Sequence, residues 1–193
     1  MGWPPPVTLA GPHATLRPLS RDHHDALCDA TRDGELWKLW YTAVPSPEGM
    51  AAEIERRLTL ATMCPFTVFD ATGKVVGMTT YMNIDAVNKR VEIGSTWTAK
   101  SAQRSPLNTQ CKRLLLAHAF ETLDCIAVEF RTHRLNTQSR RAIERLGAQL
   151  DGMLRCHSRS ADGTLRDTAV YSITAAEWPT VRSHLDWQLA KPR

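Results

Sequence analysis

The stretch from Glu92 to Arg155 limits the folds open to this chain more than any other part of it. It runs through a strand-type pattern, a polar loop, a leucine-rich helix, a second strand and a helix that Gly147 can end. Strands that alternate with helices indicate an α/β arrangement. Where a strand turns into a helix, unpaired backbone N–H groups and the helix dipole favour a phosphate group. The stretch therefore predicts a site for a phosphorylated cofactor.

Two polar segments in this stretch are candidates for the phosphate contacts. In the first, Gln103, Arg104 and Lys112 supply side-chain donors, and Asn108 and Thr109 are residue types that cap helices. The second begins at a candidate N-cap, Asn136, within a dense group of arginines between positions 131 and 145. A capped surface helix and a solvated basic face would show the same patterns, so the residues alone leave both interpretations open.

The chain before Glu92 predicts two helical regions followed by an antiparallel meander. Residues 1–12 are rich in Pro and Gly and indicate an extended lead-in, and residues 15–19 suit a short strand. Ser20 can cap the first helix, and Ser46 with Pro47 marks the start of another. Alternating patterns at 66–70, 75–84 and 91–98, joined by short turns, then predict three consecutive strands.

The chain after Arg155 completes the predicted elements. Two strand patterns flank the turn Ala161-Asp162-Gly163 and indicate a hairpin. The last helix begins either at a capping box formed by Thr174 and Glu177 or at Pro179. With no internal repeat or linker, we predict a single mixed α/β domain over residues 1–193.

Composition narrows the classes of function and the compartment. A net charge of +4 in 193 residues is too modest to indicate nucleic-acid binding. Five widely spaced cysteines show no metal-ligand spacing and suit reduced thiols in the cytoplasm. No apolar run is long enough to span a membrane, and no metal is expected. These features predict a cytoplasmic protein without a nucleic-acid or membrane partner.

Four motifs in a fixed order resemble those of the GNAT acyltransferases, in the branch that acts on the N-termini of ribosomal proteins. They are Glu92-Ile93-Gly94 with Trp97, the loop and helix from Gln103 to Phe120, Asn136-x-x-Ser139 leading to Leu146-Gly147-Ala148, and Gly152-x-Leu154-Arg155. A subgroup of this branch has a similar Gln-Arg-Ser/Thr-x-x-Asn-Thr loop and a similar ending, Arg166-Asp167-Thr168 followed by Glu177-Trp178-Pro179. The resemblance covers roughly residues 10–190.

The resemblance implies a GNAT fold. Its central twisted sheet is mixed and mostly antiparallel, with about seven strands, splayed central strands and flanking helices. The exposed backbone of the fourth strand, about residues 94–98, would pair with the pantetheine arm of coenzyme A like an added strand. The family's phosphate loop is usually rich in glycine, whereas Ser105, Pro106, Leu107 and Asn108 stand at those positions here.

The resemblance also assigns roles to residues. Glu92 stands where related enzymes place a general base, and Ser139 matches a proton donor to the CoA sulfur. Acceptor-pocket candidates are Trp37, Trp40, Tyr41 and Tyr81. The residues expected to bind the cofactor are Thr96, Trp97, Thr98, Gln103, Arg104, Ser105, Asn108, Thr109, Lys112, Asn136, Ser139 and Arg141.

The resemblance thus predicts an N-acetyltransferase that moves an acetyl group from acetyl-CoA to a primary amine, on a protein N-terminus or a small molecule. It also makes a homodimer plausible. One alternative keeps the fold without the chemistry: a CoA-binding regulatory module, suggested by the missing loop glycines. Another is a basic RNA- or ribosome-associated protein that uses the arginines, although the aromatic platforms for single-stranded RNA are missing.

Overall fold

An eight-stranded sheet with the order β1-β2-β3-β4-β5-β6-β8-β7 organises the chain. The structure, a computed structural model, describes residues 3–160 and 162–191. Met1 and Gly2 of the predicted lead-in, and Ala161 of the predicted hairpin turn, lie outside these residues. The strands are β1 (Leu9–Gly11), β2 (Ala14–Pro18), β3 (Cys64–Asp70), β4 (Val75–Asp85), β5 (Arg90–Thr98), β6 (Ala127–His133), β7 (Gln149–Arg159) and β8 (Leu165–Thr174).

The predicted fold class is confirmed, because the sheet is mixed and mostly antiparallel, with the meander β3-β4-β5 at its centre. The strand number differs from the prediction of about seven. The additional strand, β1, lies in the predicted lead-in and pairs with β2 through three residue pairs, Leu9–Leu16, Ala10–Thr15 and Gly11–Ala14.

Helices cover both faces of the sheet: α1 (His24–Arg32), α2 (Met50–Thr59), α3 (Leu107–Ala117), α4 (Thr137–Glu144) and α5 (Trp178–Ala190). Neighbouring residues of β4 identify the faces. Thr80 contacts Arg57 of α2, whereas the Tyr81 hydroxyl donates to the Leu115 carbonyl of α3. Because adjacent side chains of a strand point to opposite faces, α2 and α3 lie on opposite sides of the sheet.

Most predicted helix boundaries hold, with one correction. Asn136 Oδ1 accepts a hydrogen bond from Ser139 N at 3.0 Å and caps α4 as predicted. Helix α2 begins at Met50 rather than near Ser46, because Ser46 accepts a bond from Gly49 N and forms a turn before the helix. Helix α5 begins at Trp178, immediately after Glu177, whose carboxylate accepts from the backbone of Thr174.

The core fills both sides of the strands with apolar side chains. Phe66 and Val68 of β3, Met78 of β4, and Leu115 and Leu116 of α3 are at most 2% exposed. Burial of each such side chain contributes about 1.5–3 kcal/mol to folding. On α2, Ile54 is buried, whereas Leu58 is 36% exposed and the side chain of Arg57 lies inside the protein.

Candidate active site

Strands β5 and β6 separate at the centre of the sheet, as the splayed arrangement requires. They pair in parallel through three residue pairs, Arg90–Ala127, Val91–Val128 and Glu92–Glu129. Beyond Glu92 the two strands diverge, so residues 93–98 face a gap on the β6 side. A backbone edge of this kind can accept an extended ligand as an added strand.

A β-bulge at Ser95 bends β5 next to the gap. Ser95 has a φ of +47°, and the pairing of β4 with β5 shifts by one residue between Met78–Trp97 and Thr80–Gly94. A bulge of this type bends its strand and redirects the side chains that follow. The bulge therefore helps β5 to turn away from β6.

Arg57 of α2 braces the bulge from one face of the sheet. Its Nη1 donates to the Ser95 carbonyl at 3.0 Å and to Thr80 Oγ1 at 2.8 Å. Its Nε donates to Glu53 Oε1 at 2.7 Å, so the buried guanidinium has a carboxylate partner. Burial lowers the pKa of Arg57, and Glu53 opposes this shift.

Lys112 of α3 braces the bulge from the opposite face. Its Nζ donates to Thr96 Oγ1 at 3.1 Å, and Thr96 shares a 2.8 Å hydrogen bond with Thr79 Oγ1. Lys112 is 7% exposed and forms no ion pair with a carboxylate of the described residues. Burial lowers its pKa to about 8.

Glu92 lies in β5 at the point where the gap opens. Its carboxyl group is buried, accepts a 2.7 Å hydrogen bond from Asn83 Nδ2, and lies 3.7 Å from Arg131 Nε. Burial raises the pKa of Glu92, while the Asn83 bond and the positive charges of Arg131 and Arg166 lower it. A carboxylate with a raised pKa is a better proton acceptor than one in water.

Gly94 allows the Glu92 carboxylate to pack against the backbone of β5. A Cβ atom at position 94 would lie 2.7 Å from Glu92 Oε1 and 2.6 Å from Met82 Sδ. Both separations are shorter than normal contacts, so a side chain at this position would displace the Glu92 carboxylate or the Met82 sulfur. The Glu-x-Gly spacing therefore keeps the Glu92 carboxylate in its buried position.

The loop before α3 contains a left-handed residue that is not glycine. Arg104 has a φ of +58°, a conformation in which glycine is favoured. Gln103 Nε2 donates to the Thr98 carbonyl at 3.0 Å and ties the loop to the end of β5. Ser105 Oγ accepts from Leu107 N at 3.3 Å, so Ser105 contacts the first residue of α3 from the loop.

The structure corrects the predicted roles of the two capping candidates. Asn108 and Thr109 lie inside α3 rather than before it. Thr109 is 1% exposed and its hydroxyl accepts from the Arg145 guanidinium, which places this side chain against the C-terminal part of the chain. Asn108 is half-buried in the first turn of α3, and the backbone of this turn directly follows the loop.

The beginning of α4 presents the remaining predicted cofactor residues. Ser139 is half-buried and Arg141 is exposed, both in the first turns after Asn136.

The predicted cofactor residues of β5 differ in exposure. Thr96 is exposed and Thr98 is half-buried, whereas the Trp97 side chain is 5% exposed. The indole Nε1 of Trp97 has no hydrogen-bond partner among the described residues.

The four aromatic acceptor candidates separate into two groups. Tyr81 is fully buried, stacks on His118 and bonds to α3, so it belongs to the core and its predicted place in the acceptor pocket is wrong. Trp37 and Tyr41 are half-buried in the connection between α1 and α2. Trp40 is 59% exposed, and its ring lies 5.3 Å from that of His133 at the end of β6.

Sequence reasoning missed several polar residues around Glu92 and the bulge. One signal was available for Arg57, because Met50, Ile54 and Arg57 follow one buried helical stripe. Asn83, Arg131 and Arg166 could not be found in this way, because their neighbours come from different strands. Asn83 also has a φ of +47°, which places it in an irregular part of β4.

Known proteins resemble this chain in sequence and in structure. The family described as "Acetyltransferase (GNAT) domain" matches residues 13–149. A crystal structure of a GCN5-related N-acetyltransferase from Brucella melitensis covers 97% of this chain and 87% of that one, with 30% sequence identity and a TM-score of 0.88. Both findings agree with the geometry described above.

Two further proteins are similar to this chain, one in sequence and one in fold. It is 33% identical over 106 residues to YdaF of Bacillus subtilis (strain 168), provisionally named as a ribosomal N-acetyltransferase; the match covers 55% of this chain and 57% of YdaF. Mycobacterium smegmatis RimJ, solved in complex with CoA-disulfide, shares the fold at a TM-score of 0.79 and 22% identity, covering 97% of this chain and 96% of RimJ.

Proposed function

Because the chain belongs to the GNAT acetyltransferase family, we propose that it transfers an acetyl group from acetyl-CoA to a primary amine. The observation that carries this proposal is the position of Glu92, which Asn83 holds at the last residue pair between β5 and β6, where the free edge of β5 begins. It combines a proton acceptor with a free strand edge, which are the two elements that direct acyl transfer to an amine needs.

The cofactor would bind along the C-terminal half of β5. The backbone of Thr96, Trp97 and Thr98 would pair with the pantetheine arm, since the Trp97 side chain is buried. The loop of Gln103, Arg104 and Ser105 and the first turn of α3, with Asn108, would bind the phosphates through backbone N–H groups. Asn136 and Arg141 would contact the cofactor from α4, and the thioester supplies the acetyl group.

Lys112 and Thr109 would support the cofactor indirectly in this proposal. Both are buried, and each touches a residue of the fold rather than an open surface: Thr96 for Lys112, and Arg145 for Thr109. Their contribution is to hold β5 and α3 in place.

Glu92 would accept the proton that the acceptor amine releases. Its raised pKa follows from burial, and Asn83 holds the carboxylate in position. Ser139 would donate a proton to the CoA thiolate as it leaves, and its side chain is half-buried at the start of α4. Trp37, Trp40 and Tyr41 would form a wall of the acceptor site.

The name of YdaF, a ribosomal N-acetyltransferase by its provisional description, supports a protein N-terminus as one acceptor class. We also propose that the chain forms a single domain, that it is cytoplasmic and that it forms a homodimer. Among the residues that the structure describes, no helix is both long and apolar enough to cross a membrane.

Binding of CoA is the first test. The melting temperature should rise with CoA concentration, since a ligand that binds the folded state stabilises it. A protein with no shift at millimolar CoA would not fit the proposal. Binding without acetyl transfer to any amine or N-terminal peptide would instead indicate a regulatory module.

The role of Glu92 is tested with Glu92→Gln, which keeps the size of the side chain and its bond to Asn83. We expect kcat/KM to fall by about 10²–10⁴-fold, the usual contribution of a general base. The limb of the pH profile that reports Glu92 should disappear in the variant, while the CoA-induced rise in melting temperature should persist. Unchanged kinetics would remove Glu92 from this role.

A further inference from the structure

One face of the C-terminal half of the sheet carries a row of charged side chains next to Glu92. Glu92 pairs with Glu129 of β6, and β6 pairs with β8 so that Arg131 lies opposite Val170 and His133 opposite Thr168. Paired residues, and every second residue along a strand, share a face. Glu92, Arg131, His133, Thr168 and Arg166 therefore lie on one face, here called the acceptor face.

The acceptor face lies on the same side of the sheet as α1 and α2, which cover the strands β3 and β4. Helix α1 contacts β4 and helix α2 contacts β3, whereas α4 lies on the opposite face, where Arg140 and Glu144 bind the Tyr171 hydroxyl. Over β6 and β8 the cover on the acceptor face comes from Trp40, against His133, and from His157, whose Nδ1 lies 3.1 Å from Thr168 Oγ1. No helix therefore covers this end of the face among the contacts described, and Trp40 and His157 lie beside His133 and Thr168.

The arginines near the acceptor face differ in how they are paired. Arg131 donates to the Glu129 carboxylate and Arg134 and Arg155 both contact Asp167 Oδ2, at 3.2 and 2.9 Å. The Arg166 side chain forms no hydrogen bond or ion pair with any residue that the structure describes. The negative charge of Glu92 raises the pKa of Arg166, and the positive charge of Arg166 lowers the pKa of Glu92.

Arg166 is half-buried, and burial lowers its pKa. A guanidinium that loses water without gaining a bonded carboxylate is unfavourable in the folded protein. Its planar fork of donors matches a carboxylate with two parallel hydrogen bonds. A carboxylate brought by a ligand would supply the partner that the chain itself does not.

We propose that the acceptor is a primary amine that also carries a carboxylate, and that Arg166 binds this carboxylate while the amine lies at Glu92. The inference rests on the proposed function and adds the chemical class of the acceptor. An acidic residue close to a peptide N-terminus and a free α-amino acid both have this chemistry. Polyamines and aminoglycosides do not, and their additional positive charges would face Arg131 and Arg166.

The test uses matched acceptors that differ in one carboxylate. Peptides with Asp or Glu at the second or third position are compared with the same peptides carrying Asn or Gln, and free amino acids with their amides. We expect the carboxylate to raise kcat/KM about 10–100-fold in the preferred series, since a charge-assisted hydrogen bond contributes about 1.5–3 kcal/mol. Whichever series shows the larger ratio identifies the source of the carboxylate.

Variants assign the preference to Arg166. Arg166→Gln should remove most of the ratio between acidic and neutral acceptors, and Arg166→Lys should retain part of it, because Lys keeps the charge but not the fork. Arg159→Gln is the control: Arg159 is an exposed arginine of β7 that pairs with Leu165 in the sheet. Calorimetry of the best acidic peptide on the CoA-bound protein gives a second readout, in which Kd should rise about tenfold or more for Arg166→Gln.

The outcomes distinguish this inference from the proposed function. Acetyl transfer with equal kcat/KM for acidic and neutral acceptors would overturn the role of Arg166 and leave the acetyltransferase proposal standing. A preference that Arg166→Gln keeps, with Arg166→Lys folded and active, would also overturn it. Failure of CoA binding, or of transfer to every acceptor, would overturn both.

Discussion

The two faces of strand β5 hold the same bulge with a buried cation, but in different ways. On the α2 face, Arg57 combines a carboxylate partner with two further acceptors, Thr80 and the Ser95 carbonyl. On the α3 face, Lys112 donates to the Thr96 hydroxyl and has no carboxylate partner among the described residues. Burial lowers the pKa of both groups, but that of Lys112 reaches about 8.

The difference shows that burial of a charge can stabilise or destabilise the same structural feature. A paired guanidinium that satisfies buried acceptors is costly to remove, because those acceptors then lose their donor. An unpaired ammonium is costly to keep, because its own charge is desolvated. The two faces should therefore respond in opposite directions when the cation is replaced by an apolar residue.

The largest effect is expected for Arg57→Met. The Ser95 carbonyl and Thr80 hydroxyl would remain buried without their donor, so the free energy of unfolding should fall by about 3–5 kcal/mol. Arg56→Met is the matched control, because Arg56 binds the same Glu53 from a more exposed position and its removal should cost less than about 1 kcal/mol. Urea unfolding measures both, and equal losses would contradict a special role for Arg57.

Lys112→Met should have the opposite sign. The folded pKa of Lys112, about 8, lies below its ordinary value of 10.5, so the unfolded chain binds more protons between these pH values and stability rises with pH there. Below pH 8 the full cost of about 3 kcal/mol is present. Lys112→Met should therefore stabilise the protein by up to about 3 kcal/mol at pH 7 and remove the rise between pH 8 and 10.5.

Unfolding curves at pH 7, 8.5 and 10 test this prediction. Lys74→Met, in the exposed turn between β3 and β4, serves as the control and should change stability by no more than about 0.5 kcal/mol at each pH. A large loss of stability in Lys112→Met at pH 7 would show that the hydrogen bond to Thr96 outweighs the desolvation of the ammonium.

The smallest changes in stability are expected for two adjacent threonines of β4, which point to opposite faces of the sheet. Thr80→Val removes an acceptor of the Arg57 guanidinium, and Thr79→Val removes the hydroxyl that bonds to Thr96. Bonds to charged groups contribute about 1.5–3 kcal/mol and neutral ones about 1 kcal/mol, so Thr80→Val should be the more destabilising. Thermal unfolding of both variants checks the order, and a reversed order would mean that the α3 face holds the bulge.

Much of the fold follows from local patterns in the sequence. The meander was predictable because its strands alternate and a turn at residues 70–74 joins the first two. Strand β1 was missed because three residues carry too little pattern, and its formation depends on pairing with β2. The start of α2 was placed too early because Ser46 and Pro47 form a turn that resembles a helix start.

The candidate site was less predictable, because its geometry depends on which strands are neighbours. The sequence motifs identify Glu92 and Asn136, whose positions depend on local features. The partners of Glu92 come from β4, β6 and β8, and no pattern along the chain brings Asn83, Arg131 and Arg166 together. Tyr81 was misplaced because an aromatic residue in a central strand can face either side.

The three residue pairs between β5 and β6 divide the sheet into a five-stranded part and a three-stranded part. Helix α3 spans this division: it contacts β1 and β2 on one side and α5 on the other, where Arg113 Nε lies 2.7 Å from Asp186 Oδ1. The two parts of the sheet are thus held together both by these three residue pairs and by the contacts of α3. The two strands can therefore part beyond Glu92 at the centre of the sheet, because α3 also joins the two parts.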